Sequence, residues 1–318
     1  MAKPLMLLMT GNPKPYEDAL QAAGLTERVD TAVIKPGEPL DASLMSRAEV
    51  MLAIGVPQGQ LAHMGRLKWI QSLSAGVEQW MSRKDLTPSL HVTAARGTHR
   101  VQMPENILGA LFHITKPYHQ AVVDQREARW TRKVSDSLAG KTLAILGIGA
   151  IGVELARKAA ALEMTMIGIK RNPVPVPHVE KVYPMSEVAE VLGRAQFVVL
   201  LLPTTPETEN FMNKARLAQM RPDAWLLNFG RGHSIVDEDL IAAVKAKTIA
   251  GAILDVFRIE PLAADHAFWR TPGITVLPHI GGFHRDRDHV VAQLLVENTR
   301  RHLAGEPLKE LVDRAKGY

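Results

Sequence analysis

Short, nearly uninterrupted apolar runs alternate along the chain with segments whose apolar positions recur at helical spacing. Leu5–Met9, Val50–Ile54 and Trp69–Leu73 read as strands, and Tyr16–Ala23 as a helix ending at Gly24. This first series closes at about residue 97. Pro104–Tyr118 follows as a long apolar helix, with the proline in the first turn, where a missing N–H costs no hydrogen bond. The segment from Asp124 to Ser137 is polar, and its Trp130 reads as a solvent-facing anchor or a partner contact. A second series then begins. Thr142–Leu146, Thr165–Ile169, Phe197–Leu202, Ala224–Asn228, Ala250–Leu254 and Ile274–Leu277 read as strands. Helices over Ile151–Leu162, Ser186–Leu192, Lys214–Met220 and Asp237–Ala246 separate most of them, the last with Asp237 as its N-cap. Arg287–Leu303 closes the chain as an amphipathic helix. Near-continuous apolar strands alternating with helices predict an α/β chain whose parallel sheets are covered by helices.

The length of 318 residues fits about two domains and allows a sizeable core without staples. There is no cysteine, which excludes a disulfide framework, a thiolate metal site and a cysteine nucleophile. Hydrophobic residues at 46% and charged residues at 22% exclude wholesale disorder. The net charge of +5 is mildly basic, but the densest basic stretches, 126–133 and 285–287, are short and carry interspersed acids. With only 5% aromatic residues there is no base-stacking platform, so a solvated surface or a small anionic ligand explains the charge better than nucleic acid does. The apolar run Leu5–Met9 is too short for a signal peptide, and no run approaches a membrane span, so a cytoplasmic protein is expected.

Gly147-Ile148-Gly149-Ala150-Ile151-Gly152 follows a predicted strand and opens a predicted helix, the context in which a GxGxxG pattern carries meaning. Gly147 permits a tight turn, Gly149 lets the backbone approach a pyrophosphate, and Gly152 allows close packing of helix on strand. The helix N-terminus offers free N–H groups to the anion. An NAD site carries an acid at the end of the next strand; here Lys170 stands 18 positions after Gly152, followed by Arg171. Both can pair with a 2′-phosphate, which favours NADP over NAD.

Three charged residues follow the later strands: Arg231, Glu260 and His279. Carboxyl ends of parallel strands line the ligand crevice of such sheets, so the three are expected to converge on the reactive end of the cofactor. Their types suit reduction of a 2-oxo acid. His279, paired with Glu260, donates a proton to the carbonyl oxygen, and Arg231 forks onto a carboxylate.

The stretches GIGAIG (147–152), LLLPTTPET (200–208), NFGRGHSIVDEDL (228–240), GAILDVFRIEPL (251–262) and LPHIGG (277–282) resemble, in order and spacing, the D-isomer-specific 2-hydroxyacid dehydrogenases, and in particular their glyoxylate/hydroxypyruvate reductase branch. The resemblance covers nearly the whole chain. It implies two doubly wound parallel-sheet domains of Rossmann and flavodoxin-like type with an active-site cleft between them. Residues 1–98 with 287–318 would form the substrate domain, and 99–286 the dinucleotide-binding domain. It assigns Arg231 to substrate orientation, His279 to acid–base work and Glu260 to tuning that histidine. Ser74-Ala75-Gly76-Val77 resembles the loop whose N–H groups hold the substrate carboxylate. Asp255 matches an aspartate near the nicotinamide carboxamide, and Pro203 a proline lining the cofactor cleft. Leu202, Thr208, Phe229, Gly230 and Gly281 complete the implied cofactor contacts, with Ala150 and Ile151 of the glycine loop and His279 itself. No metal is implied.

The family commonly forms homodimers through the cofactor domain, which points to Ile107–Tyr118 and the Trp130 segment. Departures are Pro104 for an alanine, Phe229 for a smaller residue and Lys170 for the acid of NAD-using relatives. Trp80, Trp269, Phe283 and His284 are candidates to shape the pocket. The implied activity is NADPH-dependent reduction of glyoxylate or hydroxypyruvate to the D-2-hydroxy acid. The alternatives are a dehydrogenase for larger apolar 2-oxo acids and, in a different class, a dinucleotide-sensing regulator.

Overall fold

The computed structural model describes residues 3–314. The chain divides into two compact units. One runs to Thr98 and resumes at His284; the other is His99–Phe283.

The first unit holds a five-stranded sheet of order β2-β1-β3-β4-β5: β1 (Leu5–Met9), β2 (Asp30–Ile34), β3 (Ala48–Ala53), β4 (Trp69–Ser72) and β5 (His91–Thr93). All pairings are parallel. Alternation along β1 explains why its sequence is apolar throughout. Leu5 and Leu7 pack on one face with Met45, Met51 and Trp80, while Met6 and Leu8 pack on the other with Tyr16, Leu20, Val291 and Leu295. The edge strands β2 and β5 were not predicted. The residues of β2, Asp-Thr-Ala-Val-Ile, are exposed at their start and carry no buried run, and β5 is three residues long. The helix Ala42–Arg47 was also unpredicted; Asp41 caps it by accepting from Leu44 N at 2.9 Å.

The C-terminal helix Arg287–Ala304 closes on the helix Lys14–Ala22 through Asp288. Asp288 accepts from the Tyr16 hydroxyl at 2.8 Å, from Asn12 Nδ2 at 2.9 Å and from Arg287 Nε at 3.0 Å. Burial pushes its carboxyl up, but these donors outweigh burial and hold it below the usual value. Burial and the neighbouring carboxylate push the Tyr16 phenol up. Asp288→Asn is expected to cost about 1–3 kcal/mol at neutral pH, as charged hydrogen bonds are lost. A lowered folded value means the contribution is complete above the unfolded pKa of about 3.9 and is lost as pH falls through the folded one. Urea melts of both proteins at neutral pH and at about pH 2.5 should show the gap closing in acid. A gap of the same size at both pH values would remove the carboxylate from the account.

The second unit holds seven parallel strands in the order β12-β11-β10-β9-β6-β7-β8. These are β6 (Thr142–Leu146), β7 (Thr165–Ile169), β8 (Lys181–Tyr183), β9 (Phe197–Leu200), β10 (Trp225–Asn228), β11 (Gly251–Leu254) and β12 (Ile274–Val276). The order reverses direction between β6 and β9, the switch point at which doubly wound sheets hold ligands. β8, a three-residue edge strand, was not predicted. The helix predicted over Pro104–Tyr118 is Gln102–Thr115, with a second helix, Tyr118–Arg126, after it. Lys116 turns extended because the residue before a proline, here Pro117, is pushed out of the helical region. Asp237 is not an N-cap. Val236 holds that position, and the Asp237 carboxylate faces Arg258 Nε at 3.7 Å and His266 Nε2 at 3.5 Å. Among the described residues no helix is long and apolar enough to cross a membrane.

Candidate active site

Gly147 follows β6 with φ +99°, and a Cβ there would sit 2.8 Å from the carbonyl oxygen of Leu201, just past the end of β9. The two strands that flank the switch point thus meet through a glycine. Gly149 precedes the helix Ala150–Ala160, whose first residues are Ala150 and Ile151. A Cβ on Gly149 would meet nothing within 4 Å, so the backbone here faces open space in front of the helix's free N–H groups. A Cβ on Gly152 would lie 3.2 Å from Ile145 Cγ2, which shows how closely the helix rides on β6. An anionic pyrophosphate fits this cradle on donors, dipole and space together.

Lys170 and Arg171 follow β7 directly. The Lys170 N–H donates to Tyr183 O at 3.2 Å, which fixes the backbone against β8. Arg171 Nη2 lies 3.8 Å from Glu207 Oε2 on an exposed surface. Past β9, Leu202 and Pro203 lead into a turn closed by Thr208, whose hydroxyl donates to Pro203 O at 2.6 Å and accepts from Thr205 N at 2.8 Å. Gly230 lies against Leu202, since a Cβ would come 2.9 Å from its carbonyl oxygen; Phe229, before it, is buried.

Arg231 sits in a loop organised by Asn228. Asn228 Oδ1 accepts from Gly230 N at 3.1 Å, and its Nδ2 donates to Arg231 O at 3.0 Å. Arg231 itself is extended, and its Nη1 donates to Gly230 O at 2.8 Å.

Two residues brought together are Glu260 and His279. His279 Nδ1 lies 2.6 Å from Glu260 Oε2, while Glu260 Oε1 accepts from Phe257 N at 2.9 Å. The carboxylate therefore has one oxygen tied to backbone and one to imidazole. His279 has φ +53°, a left-handed conformation that few residues other than glycine adopt. Asp255 accounts for it: buried at the end of β11, it accepts from Ile280 N at 2.8 Å and Gly281 N at 2.9 Å, so the turn carrying His279 is pinned from below. Burial pushes the Asp255 carboxyl up against the opposing pull of those two amides. Asn106 Nδ2, in the second turn of Gln102–Thr115, adds a bond to Gly281 O at 2.9 Å. No side chain fits at 281, where a Cβ would lie 2.6 Å from Asp255 Oδ2 and 2.7 Å from Phe229 Cδ1.

In the first unit, Ser74–Val77 forms a loop after β4. Ser74 O accepts from Ala95 N at 3.0 Å, and the Ser74 hydroxyl accepts from Gly76 N at 3.2 Å. Beside it, a cavity of about 780 Å³ opens at the carboxyl ends of β1, β2 and β3. Thr10, Asn12, Lys35, Ile54, Leu73 and Arg287 are among its walls; none of Ser74–Val77 is. No local pattern marks these walls, because they come from four separate loops and the start of the helix Arg287–Ala304. Of the aromatic candidates, Trp80 is fully buried in the core of this unit. Trp269 is half-exposed with Nε1 on Ala263 O at 2.9 Å, and Phe283 is 72% exposed.

Comparison with known proteins draws these features together. Residues 108–281, more than half of the chain, match the family model described as D-isomer specific 2-hydroxyacid dehydrogenase, NAD binding domain. The chain belongs to the D-isomer-specific 2-hydroxyacid dehydrogenases. This dehydrogenase is 29% identical over 308 residues to a glyoxylate/hydroxypyruvate reductase A of Serratia proteamaculans, covering 93% of this chain and 95% of that one. It is similar to a crystal structure of a family member from Xanthobacter autotrophicus in complex with NADPH and MES, with TM-score 0.87, 29% identity and full coverage of both chains. It is also similar to an NADPH-dependent glyoxylate/hydroxypyruvate reductase of Sinorhizobium meliloti in complex with NADP and sulfate, with TM-score 0.85 and 26% identity, covering 99% of this chain and 100% of that one. The dehydrogenase is thus an NAD(P)-dependent oxidoreductase with two Rossmann-like domains, on the glyoxylate/hydroxypyruvate reductase A side of its family.

Proposed function

We propose that this dehydrogenase reduces a small 2-oxo acid of the glyoxylate or hydroxypyruvate type to the D-2-hydroxy acid, with NADPH preferred over NADH. The observation that carries the reading is the His279–Glu260 pair at 2.6 Å on a turn pinned by Asp255. With Nδ1 committed to Glu260, the Nε2 of the half-exposed imidazole is the nitrogen left to meet a carbonyl oxygen and give it a proton. Arg231 forks onto the substrate carboxylate, and the N–H groups of Ser74–Val77 are further proposed donors to the substrate. Gly147–Gly152 would hold the pyrophosphate, and Lys170 with Arg171 the 2′-phosphate. Leu202, Pro203, Thr208, Phe229, Gly230, Asp255 and Gly281 would line the dinucleotide along the carboxyl ends of the strands. Bound NADPH supplies the hydride. NADPH and NADP in two related structures support this choice of cofactor.

The test is the initial rate with NADPH and with NADH, side by side, on hydroxypyruvate. Faster turnover with NADPH is expected, and Lys170→Asp with Arg171→Ala should move the NADPH/NADH ratio toward NADH by about 10- to 100-fold, the value of one or two charged hydrogen bonds. An unchanged ratio would overturn the assignment of the two cations. A dehydrogenase for larger apolar 2-oxo acids is the second reading, and bulkier 2-oxo acids in the same assay decide it. A homodimer in the cytoplasm completes the proposal. Tyr118, Val122, Trp130 and Val134 are exposed apolar side chains on the helix Tyr118–Arg126 and the segment after it, and the mass in solution tests the pairing.

A further inference from the structure

The loop that carries Arg231 and the loop that carries Glu260 lie backbone to backbone. A Cβ at Gly232 would overlap the Phe257 carbonyl group and the Arg258 amide nitrogen, so no side chain separates them. The Arg258 side chain folds across this junction. Its Nε donates to Ile235 O at 2.9 Å, and its Nη2 reaches Ile235 O, Asn210 Oδ1 and, at 3.4 Å, His233 O. Its Nε also lies 3.7 Å from the Asp237 carboxylate. Asn210, left-handed at φ +52°, donates its own N–H to His233 O at 2.8 Å, so the loop after β9 is tied in as well. One residue back from Arg258, the Phe257 N–H holds Glu260 Oε1 at 2.9 Å, and Glu260 in turn holds His279.

We propose that Arg258 is a positioning residue for the reaction: its guanidinium clamps the 257–260 turn onto the 231–236 turn and so fixes Glu260, and through it His279, in register with Arg231. This rests on the roles given above to Arg231, Glu260 and His279. Arg258 is not among the residues assigned above to cofactor or substrate. A planar fork of donors suits the task, because three carbonyl or amide oxygens on two loops must be met from one side chain.

The test uses the full-length protein with Arg258→Met, which keeps the length and removes the donors, and Arg258→Lys, which keeps the charge. Backbone hydrogen exchange is followed in peptides spanning 231–236 and 255–261. In the methionine variant both are expected to exchange at least about 10-fold faster, the scale of one lost charged hydrogen bond, with β6 and β7 unchanged. On hydroxypyruvate, kcat should fall by about 5- to 20-fold while the NADPH dissociation constant stays within about two-fold, and added methylguanidinium should restore part of the rate. The lysine variant should fall between the two proteins, and it carries the same comparison should the methionine variant not fold. Unchanged exchange in either peptide overturns the clamp. Faster exchange with wild-type kcat overturns its part in the reaction, as does a rate loss that tracks cofactor binding and resists methylguanidinium. If the wild type reduces no 2-oxo acid, the proposed function fails, while the exchange comparison still decides the clamp.

Discussion

His279→Gln is expected to lower kcat by about 10²- to 10⁴-fold, the usual contribution of a positioned general acid. NADPH binding should stay within a few-fold of the wild type, because the pyrophosphate cradle lies on β6 and its helix rather than on this turn. The substituted amide can still donate a hydrogen bond, but it cannot give up a proton. The turn itself raises a second consideration. His279 is left-handed, and glutamine tolerates that conformation poorly, so a displaced backbone would add to the loss. Asparagine is at home there, and Asp255 holds the following two amides whatever stands at 279. His279→Asn should therefore keep the turn and lose the rate. Either variant with wild-type turnover, in steady-state assays with hydroxypyruvate, would sink the assignment of the proton donor.

Arg231→Ala is expected to lower kcat/KM by about 10²- to 10³-fold, roughly 3–4 kcal/mol, as a forked, charge-assisted contact to the substrate carboxylate disappears. Both KM and kcat should suffer, since the proposed contact would hold substrate in the ground state and keep it oriented in the transition state. The loop should survive the change. Its shape is set by Asn228 and by the Ser234 hydroxyl donating to Arg231 O at 2.7 Å, all independent of the arginine side chain. Arg231→Lys should recover only a part, because an ammonium gives charge without the fork. A change confined to KM would recast Arg231 as a binding residue with no part in orientation.

The central strands were legible because burial on both faces leaves its mark as uninterrupted apolar runs such as Leu5–Met9 and Phe197–Leu200. Of the edge strands, β12 was legible but β2, β5 and β8 were not: β5 and β8 have three residues each, and β2 starts on exposed Asp30 and Thr31, residues a loop also accepts. The helix end at Thr115 was written in Pro117, but the apolar pattern ran past it. In the site, glycine spacing and the order of motifs marked Gly147–Gly152, Glu260 and His279. What holds them was hidden. Asp255 reaches amides 25 and 26 positions away, and Arg258 reaches a carbonyl 23 positions back. Such contacts depend on which loops the sheet order makes neighbours, and local sequence does not state that. Asp237 shows the converse: a helix-start acid with ideal local credentials was drawn instead to Arg258 and His266.

The first unit is built from two separated stretches, one running to Thr98 and one resuming at His284, whereas His99–Phe283 is one unbroken stretch. During synthesis, the whole of His99–Phe283 emerges between the two stretches that the first unit needs. Until Arg287–Ala304 emerges, Met6 and Leu8 lack Val291 and Leu295, and one face of the first sheet stays greasy. The stretch up to Thr98 thus waits on a helix from far downstream, and a chain lacking Arg287–Ala304 would present chaperones with an uncovered sheet.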